Sequence, residues 1–279
     1  MLLLCTIIWG AAFSFQTMAV SYIQPFTLIS IRFLLAAVVL TPLVFIYVKK
    51  NKTQVNYKVS LIGGVVTGAF LAFASVFQQF GIEQTSTGKA GFLTAMYIIF
   101  VPLVSVILFK KKMSLWQIIG VVVTVAGAAF LSLDNNFSVN IGDILCLVGA
   151  FLYALQIISV EKFTNKTNSL VLAVISFYAC GLISLIFSLF FETVSLNNLT
   201  NAIIPILYLG IGSSAIAYTL QFIGQKRISG IPASLIMSLE AVFSVVFAWV
   251  ILQEILAPKE IIGAILMLLG VLVVQIFDN

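Results

Sequence analysis

Apolar stretches of about twenty residues succeed one another along almost the whole chain, and a helix needs about that many to cross the hydrocarbon core of a bilayer. Ten such runs are read at 1–20, 24–47, 57–80, 87–109, 114–132, 141–160, 168–191, 203–224, 230–252 and 258–277. The connections between them are short and leave no room for an aqueous domain. Of 279 residues, 62% are hydrophobic and 8% charged, against roughly 45–50% and about 25% in soluble domains. So few charged side chains cannot cover a soluble surface, and so apolar a chain does not remain disordered. The expected class is an all-α polytopic membrane protein. The first run begins at Met1 with neither a basic leader nor a small-residue cleavage site, so it is expected to be retained as a span.

The same composition removes several functions. A net charge of +5 without a basic patch gives nucleic acid nothing to bind. The absence of His removes His catalysis, His metal sites and His proton relays. Cys5, Cys146 and Cys180 sit in apolar runs without C-x-x-C spacing, so neither a zinc site nor a disulfide framework is indicated. No phosphate-binding loop of the G-x-x-x-x-G-K-[ST] type is present, which argues against ATP hydrolysis. No cofactor is expected.

The basic residues orient the spans. If the N-terminus and the even-numbered loops share a side, that side holds Lys49, Lys50, Lys52, Lys58, Lys110, Lys111, Lys112, Lys162, Lys166, Lys226 and Arg227. The other side holds only Lys89 and Lys259, and Arg32 lies within a span. Both termini are therefore expected in the cytoplasm of a plasma-membrane protein.

The chain also nearly repeats itself. At a shift of 143 positions Gln78 meets Gln221, Gly81 meets Gly224, Ser86 meets Ser229 and Ala90 meets Ala233. Ile118-Ile119-Gly120 meets Ile261-Ile262-Gly263, and Gly127 meets Gly270. Two five-helix repeats follow, 1–134 and 139–279. Five is odd, so the second copy enters the membrane from the opposite side and the repeats are inverted. That architecture recurs in secondary transporters, which hold substrate near the midplane between the halves.

Four segments make the chain resemble the drug/metabolite transporter superfamily, and within it the EamA-type ten-helix transporters. They are Trp9-Gly10; Ile31-Arg32-Phe33-Leu34-Leu35-Ala36-Ala37; Thr85-Ser86-Thr87-Gly88-Lys89-Ala90-Gly91-Phe92-Leu93-Thr94 with Val101-Pro102-Leu103; and Ser234-Leu235-Ile236-Met237-Ser238-Leu239-Glu240-Ala241-Val242-Phe243 with Leu252-Gln253-Glu254. The resemblance covers the whole chain. It implies the fold and a transport function, with substrates among amino acids, other metabolites, quaternary amines and toxic compounds. Many relatives carry Pro where this chain has Ala241.

Ionisable groups within a span usually face a cavity. Glu240 lies ten residues into span nine, or about 15 Å at 1.5 Å per residue, near the midplane. It is read as a ligand for a substrate ammonium, as the carrier of a coupling proton, or as a carboxyl bonded within the bundle. Its counterpart at the 143 shift is Tyr97, whose phenol suits an amine through cation–π attraction or merely adds bulk. Arg32 either grips a substrate carboxylate or pairs with a helix-end carbonyl and snorkels outward. Lys89 is read as a solvated lysine at the outer mouth or as an attractor of anions.

Trp9 and Phe13 on span one, with Phe15 beside them, are weighed between pocket lining and core, as are Tyr153 and Gln156 on span six. Tyr218 and Gln221 on span eight, with Gln78 and Gln79 on span three, add hydrogen-bonding groups. Gln78 and Gln221 are read as paired gates or as packing contacts, and Glu254 as a boundary or gate residue. Gly64 and Gly68 form a close-packing G-x-x-x-G. Pro102 is expected to interrupt span four and, since Val245 stands at its equivalent, to kink the halves unequally. Pro232 is tolerated in the first turn of span nine.

These residues point to a secondary transporter that moves a small organic metabolite by alternating access, with export of amino acids or related metabolites favoured. The alternatives are uptake or efflux of a cationic amine or drug-like compound, and a non-transporting receptor or assembly subunit. An enzyme is disfavoured because only one deep carboxylate is available. The partners are the solute, the lipid bilayer and a coupling proton, and a monomer suffices if both halves lie in one chain.

Overall fold

The computed structural model describes residues 1–110, 112–132, 140–253 and 258–277. They form helices α1 (Leu2–Val20), α2 (Pro25–Lys50), α3 (Tyr57–Ile82), α4 (Thr87–Ala95), α5 (Tyr97–Phe109), α6 (Leu115–Ser132), α7 (Ile141–Thr164) and α8 (Ser169–Phe191). Two short helices follow, α9 (Leu196–Asn201) and α10 (Ile203–Leu207), then a π-helical stretch (Tyr208–Tyr218) that runs into α11 (Thr219–Gln225). α12 (Gly230–Met237), α13 (Glu240–Leu252) and α14 (Pro258–Phe277) complete the chain. No strand occurs among the described residues. Each of the ten apolar runs is helical. Among the described residues, eight segments are long and apolar enough to cross a membrane, and α6 and α14 contain shorter apolar helices, Leu115–Phe130 and Ile261–Phe277.

Local chemistry starts several of these helices. Asn56 accepts from the Val59 amide, and Asn168 from those of Leu170 and Val171. Asn140 and Asp143 form a reciprocal capping box. The start of α2 has no side-chain cap of its own. Glu192, at the end of α8, supplies one by accepting from the Phe26 and Thr27 amides at 2.8 and 2.7 Å. A carboxylate there satisfies amides that the first turn leaves without helical partners, and it complements the helix dipole.

Spans four and nine are both interrupted, at equivalent places. α4 gives way to α5 at Met96, and α12 to α13 at Ser238–Leu239. The interruption is a tightening of the backbone to three-residue hydrogen bonds. The Met96 amide donates to the Leu93 carbonyl at 3.3 Å, and the Leu239 amide to that of Ile236 at 3.2 Å. Pro102 does not cause it, because α5 runs through that proline. Ala241 also needs no proline's geometry, since its amide donates to the Ser238 carbonyl at 3.1 Å. The expected place of the interruption is thus corrected: the break precedes Tyr97 in one half and Glu240 in the other, positions that correspond at the 143 shift.

Packing partners correspond in the same way. α1 packs on α13 as α7 packs on α5, and α3 lies on α8 as α2 lies on the π-helical stretch. α6 packs against α14 through glycines. A Cβ at Gly127 would meet the Gly263 carbonyl oxygen at 2.7 Å, and one at Gly120 the Gly270 oxygen at 2.9 Å. The helices therefore run antiparallel, and the contact pairs exchange under the repeat. Gly64 and Gly68 do bring α3 against α8, where added Cβ atoms would meet Ile175 and Ala179. Outward faces carry exposed Phe45, Ile107, Leu189 and Phe190, as lipid contact requires.

α7 holds the first turns of both interrupted spans. At its start Asp143 receives the Lys89 ammonium of α4 at 2.6 Å, with 4% and 12% of the two side chains exposed. At its end Glu161 accepts from the Gly230 amide of α12 at 3.1 Å. Lys89 is consequently an ion-pair partner within the fold and not a solvated lysine. The capping box presents Asp143 to it.

Two measurements check this packing. Gly127→Ala, which forces a methyl against backbone, is expected to destabilise by about 1–3 kcal/mol, read as a lower Tm in detergent. Asp143→Asn, which leaves a partly buried ammonium without its counter-charge, is expected to lower Tm by several degrees, and the exchange Lys89→Asp with Asp143→Lys to recover part of the loss.

Candidate functional site

Helical periodicity gathers the polar residues of several spans around one enclosed space. On α1 the lining residues are Trp9, Ala12, Phe13 and Gln16, spaced by three or four and so on one face. Tyr153, Gln156 and Ile157 do the same on α7. α2 contributes Arg32, α3 Gln78, α4 Thr94, the π-helical stretch Ser213 and Tyr218, α11 Gln221, and α12 Met237. Tyr97 and Glu240, the first residues after the two interruptions, close the wall. All ten residues selected from the sequence meet here. The free volume is about 30 Å³, room for one or two waters.

Arg32 is 2% exposed. Its Nε donates to Ser214 Oγ at 3.0 Å, Nη1 to Gln16 Oε1 at 2.7 Å and Nη2 to Ser213 Oγ at 3.1 Å. It neither snorkels nor reaches a helix-end carbonyl, because hydroxyls and an amide satisfy it at depth. The guanidinium carbon also lies 5.0 Å from the Phe33 ring centroid. Among the described residues no carboxylate lies within ion-pair distance of it.

The neutral groups satisfy one another. Gln78 accepts from Gln16 and from the Tyr153 hydroxyl at 3.4 and 3.2 Å, and donates to Thr94 at 3.0 Å. Gln156 and Gln221 exchange reciprocal amide bonds at 3.4 and 3.2 Å. Gln78 and Gln221 therefore line the cavity itself. Trp9 donates to the Ser213 carbonyl at 3.4 Å and packs on the Tyr218 ring at 4.7 Å. Phe15 lies outside the wall, stacked on Tyr208 at 4.1 Å, and Gln79 bonds the Gln16 carbonyl at 3.3 Å. Glu254 lies outside the described residues.

Of the lining residues, Glu240 and Tyr97, 5% and 3% exposed, have no polar side-chain partner besides each other. They are near enough to interact electrostatically. The cavity thus offers a cation, a carboxyl group, a phenol and aromatic walls. That set can hold a small solute by charge at two points and by apolar contact between them.

Sequence reasoning missed Gln16, Thr94, Ser213 and Ser214. Gln16 was legible, since it continues the face of Trp9 and Phe13 by one turn. The serines carried no such signal, because a π-helical turn breaks the 3.6-residue period on which a face is read.

The chain is similar to proteins described as uncharacterized transporters. One from Archaeoglobus fulgidus is 30% identical over 275 residues, covering 99% of this chain and 84% of that protein. YcxC of Bacillus subtilis is 25% identical over 282 residues, covering 96% and 89%. A crystal structure superposes with a TM-score of 0.78 over 98% of this chain and 95% of that one, at 16% identity, which shows a shared fold. The model of the EamA-like transporter family matches residues 1–133 and 140–276. Matched over nearly its whole length, the chain belongs to the EamA-like transporter family.

Proposed function

We propose that the protein is a secondary transporter that carries a small organic metabolite through the central cavity by alternating access, and that amino acids or related metabolites are exported. The carrying observation is Glu240, a buried carboxyl group in the wall of a cavity built by both halves, with no cation paired to it among the described residues. A carboxylate buried without a counter-charge is unfavourable, and a bound ammonium or proton removes that penalty. Glu240 therefore contacts the solute or carries the coupling proton, and the other nine lining residues selected from the sequence form the rest of the site.

In this reading residues 1–134 and 139–279 are inverted five-helix repeats that rock about the cavity, with α6 and α14 as the fifth and tenth crossings. The antiparallel glycine contacts of α6 with α14 and the matching interruptions before Tyr97 and Glu240 support it. The protein sits in the plasma membrane with both termini in the cytoplasm, an orientation supported by the lysine bias of the loops. A second reading, transport of a cationic amine, draws on the pairing of Glu240 with Tyr97 and the nearby Trp9 ring.

Proteoliposomes loaded with a mixture of amino acids and amines test the class directly. Wild-type protein should release solute, and Glu240→Gln, at equal incorporation, should cut the flux at least tenfold. Binding without release would make the protein a receptor, and unchanged flux in Glu240→Gln would remove this residue from the mechanism. For orientation, a cysteine placed at Lys50 should react with an impermeant maleimide only from the cytoplasmic side, and one at Asn197 only from outside.

A further inference from the structure

Arg32 carries five N–H donors in a fixed plane. Three are used, one each by Ser214, Gln16 and Ser213. Two remain, one on each terminal nitrogen, at a position where the side chain lines the cavity. Two parallel N–H groups on adjacent nitrogens match the two oxygens of a carboxylate. The three partners come from different parts of the fold, α1 for Gln16 and the π-helical stretch for the two serines. All three are buried, and Gln16 is itself tied through Gln78 to Thr94 and Tyr153. None of the three bears a charge. The guanidinium is therefore oriented and desolvated without being neutralised, and among the described residues no acid lies within ion-pair distance.

The π-helical turn explains how neighbouring serines serve one side chain. About 4.4 residues per turn, set by its five-residue hydrogen bonds, narrows the angle between successive side chains from the α-helical 100°. Ser213 and Ser214 then both reach the guanidinium, through Nη2 and Nε.

We infer that Arg32, positioned by Gln16, Ser213 and Ser214, is a carboxylate subsite of the cavity and selects solutes that carry a carboxylate. The inference deepens the transport reading and rests on the cavity being the solute site. It also separates that reading's two branches, because an amine without a carboxylate leaves the two N–H groups unmatched.

The test uses acetate, the smallest organic carboxylate probe with a methyl group, on full-length protein in detergent. Tm is followed against sodium acetate at constant ionic strength made up with sodium chloride, and against methylammonium chloride as a control. Acetate should raise Tm of the wild type, and methylammonium should not do so through this subsite. Arg32→Gln should abolish the acetate effect. Should that variant fail to fold, the double variant Ser213→Ala with Ser214→Ala keeps the charge and loses two of its three anchors. It should shift the half-maximal acetate concentration upward by roughly tenfold, the loss that two weakened charge-assisted bonds imply. Gln16→Leu should act in the same direction.

No acetate effect on the wild type, an effect that persists in Arg32→Gln, or an unchanged acetate midpoint in the serine double variant would overturn the subsite. Failure here with solute release intact in proteoliposomes discards the carboxylate subsite and keeps the transporter. Arg32-dependent acetate protection without release keeps the subsite and discards the transporter.

Discussion

Hydrocarbon supplies no hydrogen bonds, so every backbone amide and carbonyl at membrane depth must find its partner within the protein. That requirement makes each apolar run a helix and confines irregular backbone to the interior. The two interruptions obey it. At Ser238–Leu239 the tightened turn withdraws the Leu239 amide from the Leu235 carbonyl, and the Ser238 hydroxyl takes its place at 2.8 Å. The residues that follow the breaks, Tyr97 and Glu240, are buried and line the cavity. The departures from regular α-helix, including the π-helical stretch, are thus gathered where side chains are to be aimed inward.

The same absence of water alters how the helices hold together. Lipid is as apolar as leucine, so burying leucine against a neighbour gains little, and close backbone approach and polar contacts carry more of the association. α6 and α14 meet through crossed glycine pairs, whereas the helices around the cavity meet through amides and hydroxyls. An ion is held differently again. Lys89 has Asp143 at the rim, but Arg32 at depth is surrounded by neutral oxygens. A neutral shell stabilises the guanidinium through dipoles while leaving its charge available, which a bonded carboxylate would cancel.

How far the sequence reaches depends on what each residue's role requires. Span positions rest on length and hydropathy, which are local, and the ten runs agree with the helices to within a few residues. Cavity residues were legible where a regular α-helix repeats a polar or aromatic position, as at Trp9 and Phe13 or Tyr153 and Gln156. Lys89 was misread because its partner is 54 positions away and only folding brings α4 onto α7. Arg32 was left between two roles because its shell depends on a π-helical turn that no residue announces. Pro102 shows the opposite failure. A strong local signal did not decide the break, since the backbone tightens six residues earlier at Met96.

The small volume of the cavity bears on how tightly a solute can be held. Gln156 and Gln221 satisfy each other, and Gln78 is satisfied by Gln16, Tyr153 and Thr94. A solute that enters must part some of these pairs and replace their bonds, so the net gain is a difference between two well-bonded states. The two remaining Arg32 N–H groups gain partners without first losing one. In the proposed transport reading, selectivity concentrates at those atoms, while the glutamines keep affinity modest. Modest affinity suits a carrier, because a solute bound too well at the midplane would not leave on the other side.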